Sequence, residues 1–255
     1  RPLIAQFNAL LERLSVAYRQ MEAFNADVAH ELNTPLTTLI SSCELALRKP
    51  RSEAELREVL ASNLEDLRRM AGIVADMLFL SQADRGQGAR LAPWASLAAL
   101  AHEVIDFHEA ALQEADLQVV VQGDAAAEVD ARLLRRALSN LLGNATRYAQ
   151  RGSTITVQIG ARPCTHHGGA GDVALAVLNR GPAIDPVHLP RLFDRFYRAD
   201  AARSQADRNH GLGLAIVAAI ARMHGGRCFA ESEGGFTRIG LELPDSPSPP
   251  RDSPA

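Results

Sequence analysis

The chain has 255 residues, of which 47% are apolar, 22% charged and 5% aromatic, with a formal net charge of −3. That length allows one large or two modest domains with packed cores, while the slight acidity and the scarcity of rings argue against a nucleic-acid surface. Cys43, Cys164 and Cys228 are odd in number and far apart, which points to a reducing compartment rather than a disulfide framework.

Leu3, Phe7, Leu10, Leu14, Ala17, Met21, Phe24, Val28, Leu32, Pro35 and Leu39 follow one another in steps of four and three. This is the seam of a long amphipathic helix, predicted to run to about Arg48 and to stop at Lys49-Pro50. A second helix should begin near Ser52, whose Glu55 three residues on makes a capping box. Its seam is Leu60, Leu64, Leu67, Ala71, Val74 and Leu78. One antiparallel hairpin cannot bury both seams, whereas two hairpins can, so a homodimeric four-helix bundle is expected over residues 23–84. Residues 1–22 would continue an incoming helix, and 85–94 are a polar, glycine-rich linker.

Residues 95–244 alternate helices and strands. Helices are predicted at Ser96–Ala115, at Asp130–Ala149 with Asp130 as its cap, and at Leu212–His224. Strands are predicted at Leu117–Gln122, Ser153–Gly160 and Asp172–Leu178, with more between Gly226 and Leu243. The expected fold class is therefore α + α/β, a dimeric antiparallel bundle followed by a two-layer α/β sandwich. The proline- and serine-rich residues 245–255 are predicted to be disordered. No apolar run approaches the roughly 18 residues of a membrane span. The start at Arg1, without a signal peptide, suggests the soluble part of something longer.

Chemistry concentrates around His30. It is followed directly by Glu31, a ready proton acceptor beside a candidate nucleophile. It lies two residues from both Val28 and Leu32, roughly 200° around the helix, and so should face away from the seam. Pro35 interrupts a helical pattern at a cost of about 3 kcal/mol, which suggests a kink held for a purpose. The stretch Phe24-Asn-Ala-Asp-Val-Ala-His30-Glu31-Leu-Asn33-Thr34-Pro35-Leu36 resembles the phosphoacceptor box of bacterial sensor histidine kinases. The resemblance implies that His30 takes phosphate from ATP and passes it to an aspartate on a response regulator's receiver domain. It makes Glu31 the base and Thr34 the residue that orients water for dephosphorylating the regulator. Residues 1–22 then resemble the last helix of the signalling linker that follows the final membrane span. The chain would be the cytoplasmic portion of a bacterial inner-membrane protein, anchored by spans it does not itself contain.

Further boxes follow in that family's order. Asn140 and Asn144 stand four residues apart on one helix face, where two amide oxygens suit Mg²⁺, and Arg147 can reach a phosphate from the same face. With Tyr148 they resemble the kinase asparagine box. Asn179-Arg-Gly181-Pro-Ala183-Ile184 resembles the first glycine box, Phe193 and Phe196 with Arg198 the phenylalanine box, and Gly211-Leu-Gly213-Leu214 the second glycine box. The implied sandwich is the ATPase domain of histidine kinases, gyrases and chaperones, with ATP and Mg²⁺ bound and residues 199–209 as a lid. Several stretches, among them Met77–Asp84 and His188–Arg198, resemble the heavy-metal branch answering copper or silver.

Three departures leave a second reading open. Asn179 stands where an aspartate usually accepts the adenine amino proton, Ala183 replaces a glycine, and Asn209 replaces another. A neutral acceptor gives a weaker hydrogen bond than a charged one, and a scaffold or phosphatase that binds the regulator without turning over ATP is the alternative. Cys164-Thr-His166-His167 offers metal-binding side chains, but with no further ligand at a familiar zinc spacing.

Overall fold

The computed structural model describes residues 2–162, 172–199 and 210–244, with side-chain surroundings left undescribed for part of the first helix, His30 included. The predicted tail, the Cys164–His167 cluster and all of the lid but Ala199 lie outside the described residues. Two compact units divide between Met77 and Leu78.

The first unit holds α1 (Pro2–Arg48) and most of α2 (Glu53–Asp84). Helix α1 runs on through Pro35 to Arg48, the end expected of it. Proline removes the amide that would bond the Glu31 carbonyl, and the helix is laced just beyond it. The Thr37 hydroxyl donates to the Asn33 carbonyl at 2.8 Å and that of Thr38 to the Thr34 carbonyl at 3.1 Å. Ser52 and Glu55 form the reciprocal capping box: the Ser52 amide donates to Oε2 at 2.8 Å, and the Glu55 amide to Ser52 Oγ at 3.3 Å. These bonds satisfy two helix-end donors and set where α2 starts. The two helices meet through Asn63 Nδ2 and Cys43 Sγ, 3.2 Å apart.

The covered stripe of α2 is Val59, Asn63, Asp66, Met70 and Ile73, one residue behind the apolar seam. Leu60, Leu64, Leu67, Val74 and Leu78 remain 43–67% exposed in the single chain. The apolar seam therefore lies about 100° round the helix from the stripe this chain covers itself.

The second unit is built on a mixed five-stranded sheet. Its strands are β2 (Gln118–Gln122), β4 (Thr154–Arg162), β5 (Asp172–Arg180), β6 (Arg227–Glu233) and β7 (Phe236–Leu243), in the order β2-β4-β5-β7-β6. Among the described residues only the β2–β4 pair is parallel. Short β1 (Ala92–Trp94) and β3 (Ala127–Val129) make a separate antiparallel ribbon. Helices α3 (Leu97–Glu114), α4 (Ala131–Tyr148) and α5 (Gly213–Met223) form the second layer.

The core is the interface of these two layers. Ile155, Val157 and Ile159 alternate inward on β4 and are buried, as are Leu134, Leu138, Leu141 and Leu142 of α4 and Ile216 and Ile220 of α5. Asp130 caps α4 by accepting the Leu133 amide at 3.1 Å, and its own amide donates to Nε2 of buried His224 at 3.0 Å. His224 Nδ1 in turn bonds the Ile220 carbonyl at 2.8 Å, which makes it the neutral tautomer protonated on Nδ1. Burial pushes the pKa of His224 down, against smaller upward pulls from the Ile220 carbonyl and the Asp130 charge. This contact ties the start of α4 to the end of α5, fixing the two helices between which the main cavity opens.

Candidate functional site

A cavity of about 850 Å³ opens in the second unit between α4, the end of β5 and the start of α5. Its lining includes Asn140, Asn144, Arg147 and Tyr148 from α4, Asn179 from β5 and Ile184 just beyond. Arg198, Gly211, Gly213 and Leu214, also anticipated from the sequence, line it as well. Residues from four separate boxes, 74 positions apart at their extremes, thus share one wall system. Gly181, Phe193 and Phe196 are not among the lining residues.

The α4 contribution follows from periodicity. Leu134, Leu138, Leu141, Leu142 and Ala145 face the sheet and fix the helix's rotation. That rotation turns Asn140, Asn144, Arg147 and Tyr148 toward the cavity. Asn140 donates its side-chain N–H to the Arg136 carbonyl at 2.9 Å, which orients the amide and leaves Oδ1 as the atom turned outward. A Cβ built on Gly213 would stand 3.0 Å from that oxygen, so the bare backbone keeps room in front of an outward-turned acceptor. Two amide oxygens and nearby guanidinium groups are a donor set that fits a hard cation carrying phosphate.

Asn179 is 5% exposed near the end of β5, opposite Thr237 of β7 in the sheet register. Thr237 is also buried and lines the cavity; its hydroxyl meets Ser232 Oγ at 3.1 Å, and Ser232 Oγ accepts the Ile184 amide at 3.0 Å. The closed end of the cavity is thus polar and interlinked, and Thr237 and Ser232 are residues that the sequence reading missed. Gly181 does its work behind this wall. Its amide donates to the Gly235 carbonyl at 2.9 Å, and any Cβ would meet the Tyr148 carbonyl oxygen at 2.3 Å.

The phenylalanine-box segment is a chain of turns rather than a regular helix. It includes the 3₁₀ turn η1 (Leu189–Arg191) and Phe196 in the left-handed region at φ 59°. Such a backbone is strained for a bulky residue, and it persists because the Phe196 amide donates to the Gly211 carbonyl at 3.0 Å. Gly211, itself at φ 68°, could carry no side chain, since a Cβ would lie 2.7 Å from Phe196 Cα. The preceding Arg195 pairs with Asp84 at the end of α2, which anchors the segment.

His30, Glu31 and Thr34, the residues expected to carry the phosphoryl chemistry, lie elsewhere, in α1 of the first unit. The His30 side chain is outside the described surroundings, Glu31 is half-buried and Thr34 exposed. Among the described residues no group of three or more His, Cys, Asp and Glu side chains is placed to hold a metal ion. Nor is any helix among them long and apolar enough to cross a membrane.

Residues 20–86 match the family described as "His Kinase A (phospho-acceptor) domain". Residues 129–247 match "Histidine kinase-, DNA gyrase B-, and HSP90-like ATPase". The chain is 44% identical over 246 residues to sensor histidine kinase CusS of Escherichia coli K12, covering 95% of this chain and 49% of that protein. It is 39% identical over 213 residues to sensor protein CopS of Pseudomonas syringae pv. tomato, covering 84% and 42% respectively. The chain spans about half the length of these relatives. Among solved structures, histidine kinase ThkA in complex with response regulator protein TrrA is similar in fold, with a TM-score of 0.68 at 21% identity. That match covers 92% of this chain and 64% of that one.

Proposed function

The chain belongs to the sensor histidine kinases, and on that premise we propose that it is a kinase core that phosphorylates its own His30 from ATP and passes the group to a regulator aspartate. The observation that carries this reading is the single cavity shared by Asn140, Asn144, Arg147, Asn179 and Arg198. A nucleotide needs a polar closed end for its base and a cationic open end for its phosphates, and those side chains supply both.

In this reading the Asn179 oxygen accepts the adenine amino proton, while Ile184 and Leu214 supply apolar surface to the ring. Gly181 keeps the backbone behind it close to Tyr148, and Phe193 and Phe196 anchor the loop that carries Arg198. Arg147 and Arg198 bring guanidinium charge to the phosphates. Asn140 and Asn144 would hold Mg²⁺, which when bound neutralises phosphate charge. His30 attacks the γ-phosphorus in line, so that a nitrogen–phosphorus bond forms as ADP leaves. Glu31 takes the imidazole proton. Catalysis of this kind is positioning plus charge neutralisation. Thr34 orients the water that later dephosphorylates the regulator.

The uncovered apolar seam of α2 supports a homodimer, since a second hairpin would cover it. The regulator's receiver domain is the second partner, a reading supported by the ThkA structure, which contains its response regulator. We place the chain on the cytoplasmic side of a bacterial inner membrane, as part of a sensor of heavy-metal ions. The scaffold reading draws on Asn179, Ala183 and Asn209, of which the first two line the cavity and the third lies outside the described residues. Calorimetric titration with a non-hydrolysable ATP analogue separates the two. Binding that strengthens with Mg²⁺ in the parent, and loses that dependence in Asn144→Ala, supports the kinase; no binding supports the scaffold.

A further inference from the structure

His188 and Tyr197 both line the cavity. The segment from Asp185 to Arg198 leaves the cavity and returns to it: Asp185, His188 and Leu192 line it on the way out, and Tyr197 and Arg198 on the way back. Asp185 fixes the first bend. Its Oδ1 accepts the Val187 amide at 3.0 Å and its carbonyl accepts the His188 amide at 2.9 Å. His188 Nδ1 then meets the Tyr197 hydroxyl at 2.6 Å, joining the two ends of the segment side chain to side chain. Their rings lie 6.1 Å apart at 51°.

Two further contacts hold Tyr197. The Arg191 guanidinium sits 4.3 Å over its ring, and its amide reaches the Asp194 carbonyl at 3.4 Å. The second is long for a hydrogen bond. Arg191 also shares its charge with Asp194 at 3.4 Å, both side chains being mostly exposed, and exposed pairs contribute little. The short, half-buried bond from His188 is therefore the strongest directional restraint on the ring. Tyr197 is fixed on its other side as well, because Phe196 is locked to Gly211.

We propose that His188 is a positioning residue of the nucleotide pocket: by holding the Tyr197 hydroxyl it builds the cavity wall, and the backbone that presents Arg198, before nucleotide arrives. This rests on the ATP-pocket reading above. His188 acts through Tyr197 and takes no part in the chemistry. The gain is one of preorganisation, since a wall already in place need not be ordered on binding.

The test compares the parent with His188→Leu, Tyr197→Phe, the double variant and His188→Asn. Each is titrated calorimetrically with a non-hydrolysable ATP analogue and Mg²⁺, and hydrogen exchange over residues 194–199 is followed without nucleotide. A neutral hydrogen bond accounts for about three- to tenfold in affinity. Each single variant should lose that much, and the double variant no more than either. His188→Asn, whose side-chain amide stands the same number of bonds from the backbone as Nδ1, should recover most of the loss. Exchange over 194–199 should quicken in His188→Leu and Tyr197→Phe but not in His188→Asn. If the parent binds the analogue and His188→Leu binds it equally well, or if the losses in the double variant multiply, this assignment alone is overturned. A parent that binds no nucleotide overturns the pocket reading, and this assignment with it.

Discussion

Gly181→Ala is the sharpest perturbation of the site that leaves every polar group in place. A methyl group there would stand 2.3 Å from the Tyr148 carbonyl oxygen and 3.3 Å from Asn179 Nδ2. Carbon and oxygen in van der Waals contact sit at about 3.3 Å or more, so roughly 1 Å of overlap must be relieved. Neither side can retreat cheaply. The Gly181 amide is bonded to the Gly235 carbonyl at 2.9 Å, and the Gln150 amide holds the neighbouring Arg180 carbonyl at 2.7 Å. Forced overpacking costs about 1–3 kcal/mol, and loss of the Gly235 bond adds about 1 kcal/mol. The melting temperature should fall by roughly 2–4 °C per kcal/mol. Because Tyr148 and Asn179 both line the cavity, affinity for an ATP analogue should fall as well, by about tenfold or more. Gly143→Ala is the matched contrast. It lies in α4, where an added Cβ meets nothing within 4 Å, and a helix-interior Gly→Ala change stabilises by about 1 kcal/mol. Scanning calorimetry of the two variants should therefore give shifts of opposite sign. A Gly181→Ala protein as stable and as tight-binding as the parent would refute the close approach.

Asn179→Ala should weaken binding of a non-hydrolysable ATP analogue by roughly five- to 150-fold, because a donor on the base loses its partner; Asn179→Asp should retain or tighten it, and equal affinities in titrations of all three proteins would remove Asn179 from the pocket. Acid sensitivity should follow from His224, held neutral by burial with its pKa below the ordinary 6.5. The unfolded chain then binds more protons than the folded one below about that value, so stability is full above it and declines as pH falls. His108, also pushed down by burial, adds in the same direction; a melting temperature that does not fall between pH 7.5 and 5.5 would contradict this. Thr34→Ala should spare labelling of His30 and slow dephosphorylation of the regulator, as measured by loss of label from the receiver domain; equal loss of both activities would make Thr34 a support of the helix before Pro35.

What the sequence disclosed depended on the range of the interactions involved. The capping box at Ser52 and Glu55 and the cap at Asp130 are local devices, and α2 and α4 begin where those residues placed them. The Lys49-Pro50 stop holds as well, with α1 ending at Arg48. Asn140 and Asn144 share a face through helix geometry alone. Thr237 and His188 were not legible, because only the β5–β7 register and the fold-back of residues 185–198 bring them to the cavity, nor was Ser232, which reaches Thr237 only through the β6–β7 pairing. Strands β1 and β3 are three residues each, too short for any alternation to register. The stripe that α2 covers includes Asn63 and Asp66, polar residues that a search for apolar periodicity passes over.

On the proposed function, ATP held by the α/β unit gives its γ-phosphate to one histidine in the helical unit. Incubation of the chain with γ-labelled ATP and Mg²⁺, beside His30→Gln, tests it most directly. Acid-labile label is expected on the parent and none on the variant, with equal affinity of both for a non-hydrolysable analogue. Label that persists in His30→Gln, or a parent that binds nucleotide but never takes label, would contradict it.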